Sequence, residues 1–259
     1  MRDPPGTAKQ CLSVQISARR DVAAGIFQLE TIWPGPAPRA GQFFLIKPRR
    51  SACFLGRPIS VAEYDPAENR LRFLIAKRGR GTGELAALRP GDEAELTGPL
   101  GNRWEDMVPE RPRAAGERAA LVGGGVGIAP LLALGAELAP GSYDFYGGFK
   151  AAPFGLEGLE CQDLVTASEE GLGGNQGRIS DFFNPAPYRA VYACGPLPLL
   201  KAVAAACENS RTPCFISLER PMACGVGACL GCAVATRRGN RRCCIDGPLF
   251  PAHEVLFHG

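Results

Sequence analysis

The chain has 259 residues, of which 46% are hydrophobic, and a net charge of +3. That is enough apolar material for two compact domains with a small appendage. The charge is too mild to indicate nucleic acid, and no aromatic-and-basic platform supports such a partner.

The opening M-R-D-P-P-G-T-A-K-Q holds no apolar signal segment, so a reducing cytoplasm is expected. Short strands follow. C-L-S-V-Q-I-S (11–17) alternates apolar and polar residues, and I-F-Q-L-E-T (26–31), Q-F-F-L-I-K (42–47) and R-L-R-F-L-I-A-K (70–77) come next. Pro-Gly-Pro, Asp-Pro and Pro-Gly-Asp punctuate them. No long helical period interrupts, which predicts a small antiparallel barrel. G-R-P-I-S-V-A (56–62) reads as a strand start and R-G-R-G-T-G-E-L (78–85) as a hairpin turn. Arg57 suits a phosphate fork and Ser60 a flavin edge, while Gly81 and Thr82 offer backbone and hydroxyl donors.

The proline- and arginine-rich E-R-P-R-A-A-G-E-R (110–118) predicts a linker. Beyond it, A-A-L-V, Y-D-F-Y-G-G-F, Q-D-L-V-T-A and A-V-Y-A-C-G alternate with helical stretches. The clearest helix is L-P-L-L-K-A-V-A-A-A-C-E-N (197–209), rich in helix-forming Ala and Leu. Strand then helix, repeated, predicts a parallel sheet covered on both faces. Residues 119–136 carry no charge and are long enough to span a membrane, but five glycines and a proline interrupt them. A strand, a glycine turn and a helix are expected there instead. That turn, with Gly123, Gly125 and Gly127, reads G-x-G-x-x-P from Gly125 to Pro130. It is placed to offer backbone N–H groups and a helix dipole to a pyrophosphate. Cys194, Gly195 and Pro196 end a later strand, on the edge where parallel sheets bind ligands.

After F-I-S-L-E (215–219) the glycine and cysteine content jumps, which predicts a third, small unit held by something other than a core. Five of the eleven cysteines lie between Cys224 and Cys244. Cys224, Cys229 and Cys232 stand in C-x4-C-x2-C spacing, the plant-type arrangement for a 2Fe–2S cluster. Gly225, Gly227 and Gly231 permit a loop whose N–H groups aim at sulfur. Zinc usually takes two separate C-x2-4-C knuckles, and here only one such pair stands, within a tighter set in which the cysteines are shared. A Rieske centre needs two histidines, and the only two, His253 and His258, sit in the tail. Cys243 and Cys244 compete for the fourth position; neighbours in an extended segment point apart, so only one faces the cluster. Arg237, Arg238, Arg241 and Arg242 either offset an anionic cluster or form an exposed turn.

The succession R-P-x-S, G-T, G-G-G-x-G-x-x-P and C-G-P resembles the ferredoxin–NADP reductase superfamily. The tail, M-A-C-G-V-G-A-C-L-G-C followed by C-I-D-G-P-L-F, is similar to the electron-transfer subunits of dihydroorotate dehydrogenase B, and the likeness runs from the first strand to Phe250. The resemblance implies an FAD-binding β-barrel over residues 1–112, an α/β NAD-binding domain over 113–215 and a 2Fe–2S subdomain over 216–259. FAD would be held by Arg57, Pro58, Ile59, Ser60, Leu74, Ile75, Ala76, Gly81 and Thr82, and the cluster by Cys224, Cys229, Cys232 and Cys244. It also implies an FMN-containing catalytic partner that oxidises dihydroorotate in pyrimidine synthesis, two copies of each subunit, and NAD+ as acceptor. No acid–base residue is demanded of this chain. The residues themselves do not separate NAD from NADP. Two alternatives keep other partners open: a flavin and iron–sulfur subunit serving ferredoxin, sulfide or hydrogenase chemistry, and a zinc-stabilised binding module.

Overall fold

The computed structural model of the protein describes residues 9–107 and 116–257. The proposed linker and the boundary at residue 112 lie largely outside the described residues.

Six strands close the N-terminal barrel: β1 (Gln10–Ala23), β2 (Ile26–Ile32), β3 (Phe43–Pro48), β4 (Arg57–Asp65), β5 (Arg70–Ala76) and β6 (Glu93–Leu100). Their order around it is β1-β2-β5-β4-β3-β6, every pair antiparallel. The alternation of residues 11–17 is the inside–outside alternation of β1, which buries Val14 and Ile16. Trp33, Phe44 and Phe73 fill the centre edge-to-face. One departure from the sequence reading sits between β5 and β6. Residues 78–85 are no hairpin turn; they wind into helix α1 (Arg80–Ala86), which buries Leu85. The Thr82 hydroxyl accepts from Arg78 N (2.8 Å) and Gly79 N (3.1 Å), capping the helix start.

The second half forms one sheet. Strands β7 (Ala119–Gly124), β8 (Tyr143–Phe149), β9 (Leu164–Ser168), β10 (Asn175–Gln176), β11 (Ala190–Cys194) and β12 (Cys214–Ser217) run parallel. The order β10-β9-β8-β7-β11-β12 reverses direction at β7, where ligands of such sheets sit. Helix α2 (Ala129–Glu137) follows β7, and α3 (Leu197–Ser210) follows β11. Residues 119–136 are thus strand, turn and helix as expected, and no helix among the described residues is long and apolar enough to cross a membrane. The two faces are buried separately. Ala120 and Val122 of β7 pack with Leu200 and Val203 of α3, whereas Leu121 packs with Leu131 and Leu134 of α2. Between β8 and β9 the expected helix is missing. An irregular segment lays Phe154, Leu156 and Leu159 on the α2 side of the sheet instead.

The C-terminal segment contains the hairpin β13 (Ala233–Thr236) and β14 (Gly239–Arg242), then β15 (Leu249–Pro251), which joins β12 antiparallel at the sheet edge. It is not held without a core. Cys232, Val234, Cys243 and Cys244 share one buried cluster with Ala193, Ile216 and the barrel residues Phe43 and Leu45. Asn102, just past β6, clamps β15 by accepting from Leu249 N (3.0 Å) and donating to Leu249 O (2.9 Å). Trp104 Nε1 donates to Pro130 O (3.1 Å), tying the barrel to α2. The three parts therefore pack as one body around the groove between barrel and sheet.

Candidate functional site

A cavity of about 560 Å³ opens where the barrel, the β7 and β11 strand ends and the C-terminal segment meet. The barrel side supplies Pro58, Ile59 and Ser60 of β4, Leu74, Ile75 and Ala76 of β5, and Thr82. The sheet side supplies Gly125, Gly127, Cys194, Gly195 and Pro196. Twelve residues singled out from separate stretches of sequence thus line one space. Three others stand behind its wall. Arg57 lies against Gly81, where a Cβ would come within 2.0 Å of the arginine Nε, and that Nε is buried without a partner. A buried, unpaired guanidinium nitrogen is costly unless something anionic completes it. The missing side chain of Gly123 makes room for Ile128 rather than for a ligand. The Thr82 hydroxyl, engaged in capping α1, is less free than its place in the sequence suggested.

The glycine turn and the Cys-Gly-Pro segment touch directly. A Cβ on Gly127 would lie 2.6 Å from Gly195 Cα and 2.7 Å from Cys194 O, so only glycine allows this approach. Cys194 is buried and hydrogen-bonded to Ser217, with which it pairs in register across β11 and β12. Burial, then the nearby Glu219, pushes its thiol up to about 12, so it stays protonated. Several lining residues escaped the sequence reading: Phe43, Arg78, Ser217 to Met222, and Pro248. Their one signal was position, since S-L-E-R-P-M bridges the last parallel strand and the first clustered cysteine.

Residues 217–222, which line the cavity, run straight into the cysteine set. There the sulfurs form two pairs. Cys224 Sγ accepts from Cys229 N (3.4 Å), and Cys232 Sγ accepts from Cys244 N (3.4 Å). The expectation that N–H groups aim at sulfur is met at both. Backbone N–H groups of Cys229 and Val226 lower the Cys224 thiol to about 6, favouring the thiolate that binds metal. Desolvation and the Cys232 sulfur push the Cys244 thiol up to about 12. Cys243 turns the other way: its Sγ donates to Leu218 O (3.2 Å) inside the core. The segment is a turn rather than extended, yet the two neighbours still point apart.

Cys229 is exposed, whereas Cys232 and Cys244 are buried. Gly225, at φ +68, abuts Leu45 and Leu100, which seats the loop on the barrel. Gly231 has ordinary contacts and an ordinary φ, so the loop geometry does not demand glycine there. Three of the four arginines are engaged locally: Arg237 donates to His253 O, Arg238 pairs with Glu254, and Arg242 pairs with Asp246. Asp246 also accepts from Arg242 N (2.7 Å), which gives the D-G-P aspartate a structural role.

Among the described residues, no three His, Cys, Asp or Glu side chains gather around one point as a single ion would require. The paired sulfurs instead match a two-iron cluster, in which each iron takes two thiolates.

A barrel, a parallel sheet with a glycine turn at its switch point, and a cavity between them define a flavin and nicotinamide reductase fold, here with a cysteine-bearing tail. Solved structures agree. The NADH-dependent reduced ferredoxin-NADP oxidoreductase superposes with a TM-score of 0.80 at 25% identity, covering 98% of this chain and 92% of that one. The ferredoxin reductase of carbazole 1,9a-dioxygenase gives 0.66 at 17% identity, over 81% and 68% of the two chains. A model of the iron–sulfur cluster binding domain of dihydroorotate dehydrogenase B matches residues 219–256. Electron transfer subunits of dihydroorotate dehydrogenase B (NAD(+)) match most of the chain. That of Clostridium acetobutylicum is 38% identical over 85% of this chain and 87% of its own length. That of Caldanaerobacter subterraneus is 37% identical over 95% and 98%. The chain belongs to this family of electron transfer subunits.

Proposed function

We propose that this chain carries electrons between a catalytic subunit that oxidises dihydroorotate on FMN and NAD+, in pyrimidine biosynthesis. A 2Fe–2S cluster on Cys224, Cys229, Cys232 and Cys244 and an FAD in the cavity are its two carriers, and two copies of each subunit form the complex. The observation that carries this reading is the shared wall. Residues 217–222 and Pro248 line the cavity, and they lead into Cys224 and out from Cys244. Cluster and flavin would therefore be neighbours with one stretch of chain between them.

The cofactors supply conversion between one-electron and two-electron chemistry. The protein supplies binding and orientation. Arg57, seated on Gly81, answers a flavin phosphate. Pro58, Ile59, Ser60, Leu74, Ile75, Ala76 and Thr82 wall the flavin. Gly125 and Gly127 present backbone N–H groups to the nicotinamide nucleotide's pyrophosphate, and Cys194, Gly195 and Pro196 close the end of the cavity beside it. The exposed Cys229 marks where the partner comes nearest. Val226 and Leu230 beside it are exposed at 49% and 63%, an apolar margin suited to a protein contact. Free thiols throughout the described residues suit a reducing cytoplasm.

Cys229→Ser, in the complex with the catalytic subunit, tests the relay. NADH still reduces the flavin, and electron delivery to the partner stops. Delivery at the unaltered rate would refute a route through the cluster.

A further inference from the structure

A second groove, of about 650 Å³, lies between helix α3 and the C-terminal residues 252–257. It shares no lining residue with the cavity between barrel and sheet. Its volume falls within the range of small-molecule sites, about 300–1,000 Å³. No step assigned to flavin, cluster or nicotinamide uses it.

Its floor and walls are apolar. Cys207, Cys214, Ala252 and Val255 are buried beneath it. The thiols of Cys207 and Cys214 lie within hydrogen-bond contact of each other. Half-buried Phe215 and Phe257 add two rings. Helix α3 contributes Ala204 and Ala205, whose short side chains leave the space open. Sulfur and ring faces together make a polarisable surface that favours a flat aromatic body.

The rim carries charge mainly of one sign. Lys201 of α3, Arg211 just past its end and Arg237 of the β13–β14 turn are exposed there, against the single carboxylate of Glu208. Among the described residues, the side chains of Lys201 and Arg211 make no hydrogen bond or ion pair. Arg237 engages through Nε, which donates to His253 O (2.8 Å). Arg211 also adopts the left-handed conformation, at φ +59. Glycine or asparagine ordinarily takes that place at a helix end. An arginine there carries a conformational cost that glycine would avoid, and it sets a free guanidinium on the rim. The groove therefore complements a ligand with an aromatic body and a negatively charged end.

We propose that this groove binds a small aromatic phosphate, its ring against the two phenylalanines and the thiol pair and its anionic end on Lys201, Arg211 and Arg237. Nucleoside monophosphates have this chemistry, and so do simpler aromatic phosphomonoesters. The occupant would brace α3 against the cysteine-bearing tail, because Cys207, Cys214, Ala252 and Val255 share one buried cluster with Cys232 and Cys244.

The test uses the oxidised complex with the catalytic subunit, with FAD bound and NAD+ saturating so that the nicotinamide site is filled. Phenyl phosphate is the probe. Saturation-transfer difference NMR reads its contact with the protein, and equilibrium dialysis reads its affinity. Saturable binding is expected, displaced far more weakly by inorganic phosphate or benzyl alcohol than by unlabelled aromatic phosphates. Displacement by adenosine or uridine monophosphate identifies nucleotides as ligands; binding of phenyl phosphate without it supports a smaller aromatic phosphate. In the double variant Lys201→Glu, Arg211→Glu, affinity falls roughly 5- to 25-fold, as for the loss of two exposed charge contacts. Ala205→Trp, which fills the groove, abolishes binding, whereas Ala205→Ser keeps it. NADH bleaches the flavin at the unaltered rate in every variant. Unchanged affinity in the double variant or in Ala205→Trp would overturn the proposal. So would displacement by inorganic phosphate as strong as by aromatic phosphates, which would leave an anion patch with no aromatic site. If the double variant does not assemble, Lys201→Ala decides in its place, and unchanged affinity there overturns the proposal.

Discussion

Gly81→Ala is a small change with a specific consequence. The new Cβ would stand 2.0 Å from Arg57 Nε and 2.7 Å from its Cζ. The obstacle is the far end of a flexible side chain, so the guanidinium swings away and the helix stays in place. Stability should therefore change by less than about 1 kcal/mol, as for substitutions that leave the core intact. Flavin affinity should not survive so well. A charge-assisted contact from Arg57 to a phosphate is worth about 1.5–3 kcal/mol, so its loss weakens FAD binding roughly 10- to 150-fold. The assay is fluorescence titration of FAD into deflavinated protein, run on Gly81→Ala, Arg57→Ala and the double variant. If Gly81 acts only by seating Arg57, the double variant binds no worse than Arg57→Ala. Unchanged affinity in Gly81→Ala, or losses that simply add, would refute the reasoning.

Two further outcomes follow from the cysteine segment. Cys244→Ser should lose iron and labile sulfide, whereas Cys243→Ala keeps both and loses only stability, because the Cys243 thiol faces Leu218 O in the core; iron and sulfide analysis of the two purified variants checks this. Replacing the exposed Val226 and Leu230 with Asp should abolish co-purification with the catalytic subunit while NADH still bleaches the flavin. Retention of the complex would place the contact elsewhere.

The legible parts of this protein were those written in local pattern. Alternation located β1 and turn residues set off the other barrel strands, while the cysteine spacing marked a short loop whose thiols come in sequence order. What stayed hidden depends on contacts distant in the chain. Helix α1 is built from R-G-T-G-E-L-A, glycine-rich and weak in intrinsic helix preference; buried Leu85 and the Thr82 cap hold it. The three residues of β15 read as tail until β12 and Asn102 pair with them. The segment from Ser217 to Met222 looked like a boundary and is a cavity wall, since only the closed fold brings it across from β4 and β5. The converse failure is instructive too. Glycine punctuation suggested that Gly123 and Gly231 were functional, but one serves helix packing and the other has no close neighbour to avoid.

The claim on which all of this depends is that thiolates in the tail and the isoalloxazine in the groove exchange electrons inside a single chain. Low-temperature paramagnetic resonance of the anaerobic protein, frozen after mixing with NADH alone, measures that exchange. The account predicts the rhombic signal of a reduced two-iron centre in the unaltered protein and its loss in Cys229→Ser. A bleached flavin with no such signal, although dithionite elicits it in the same sample, would contradict it.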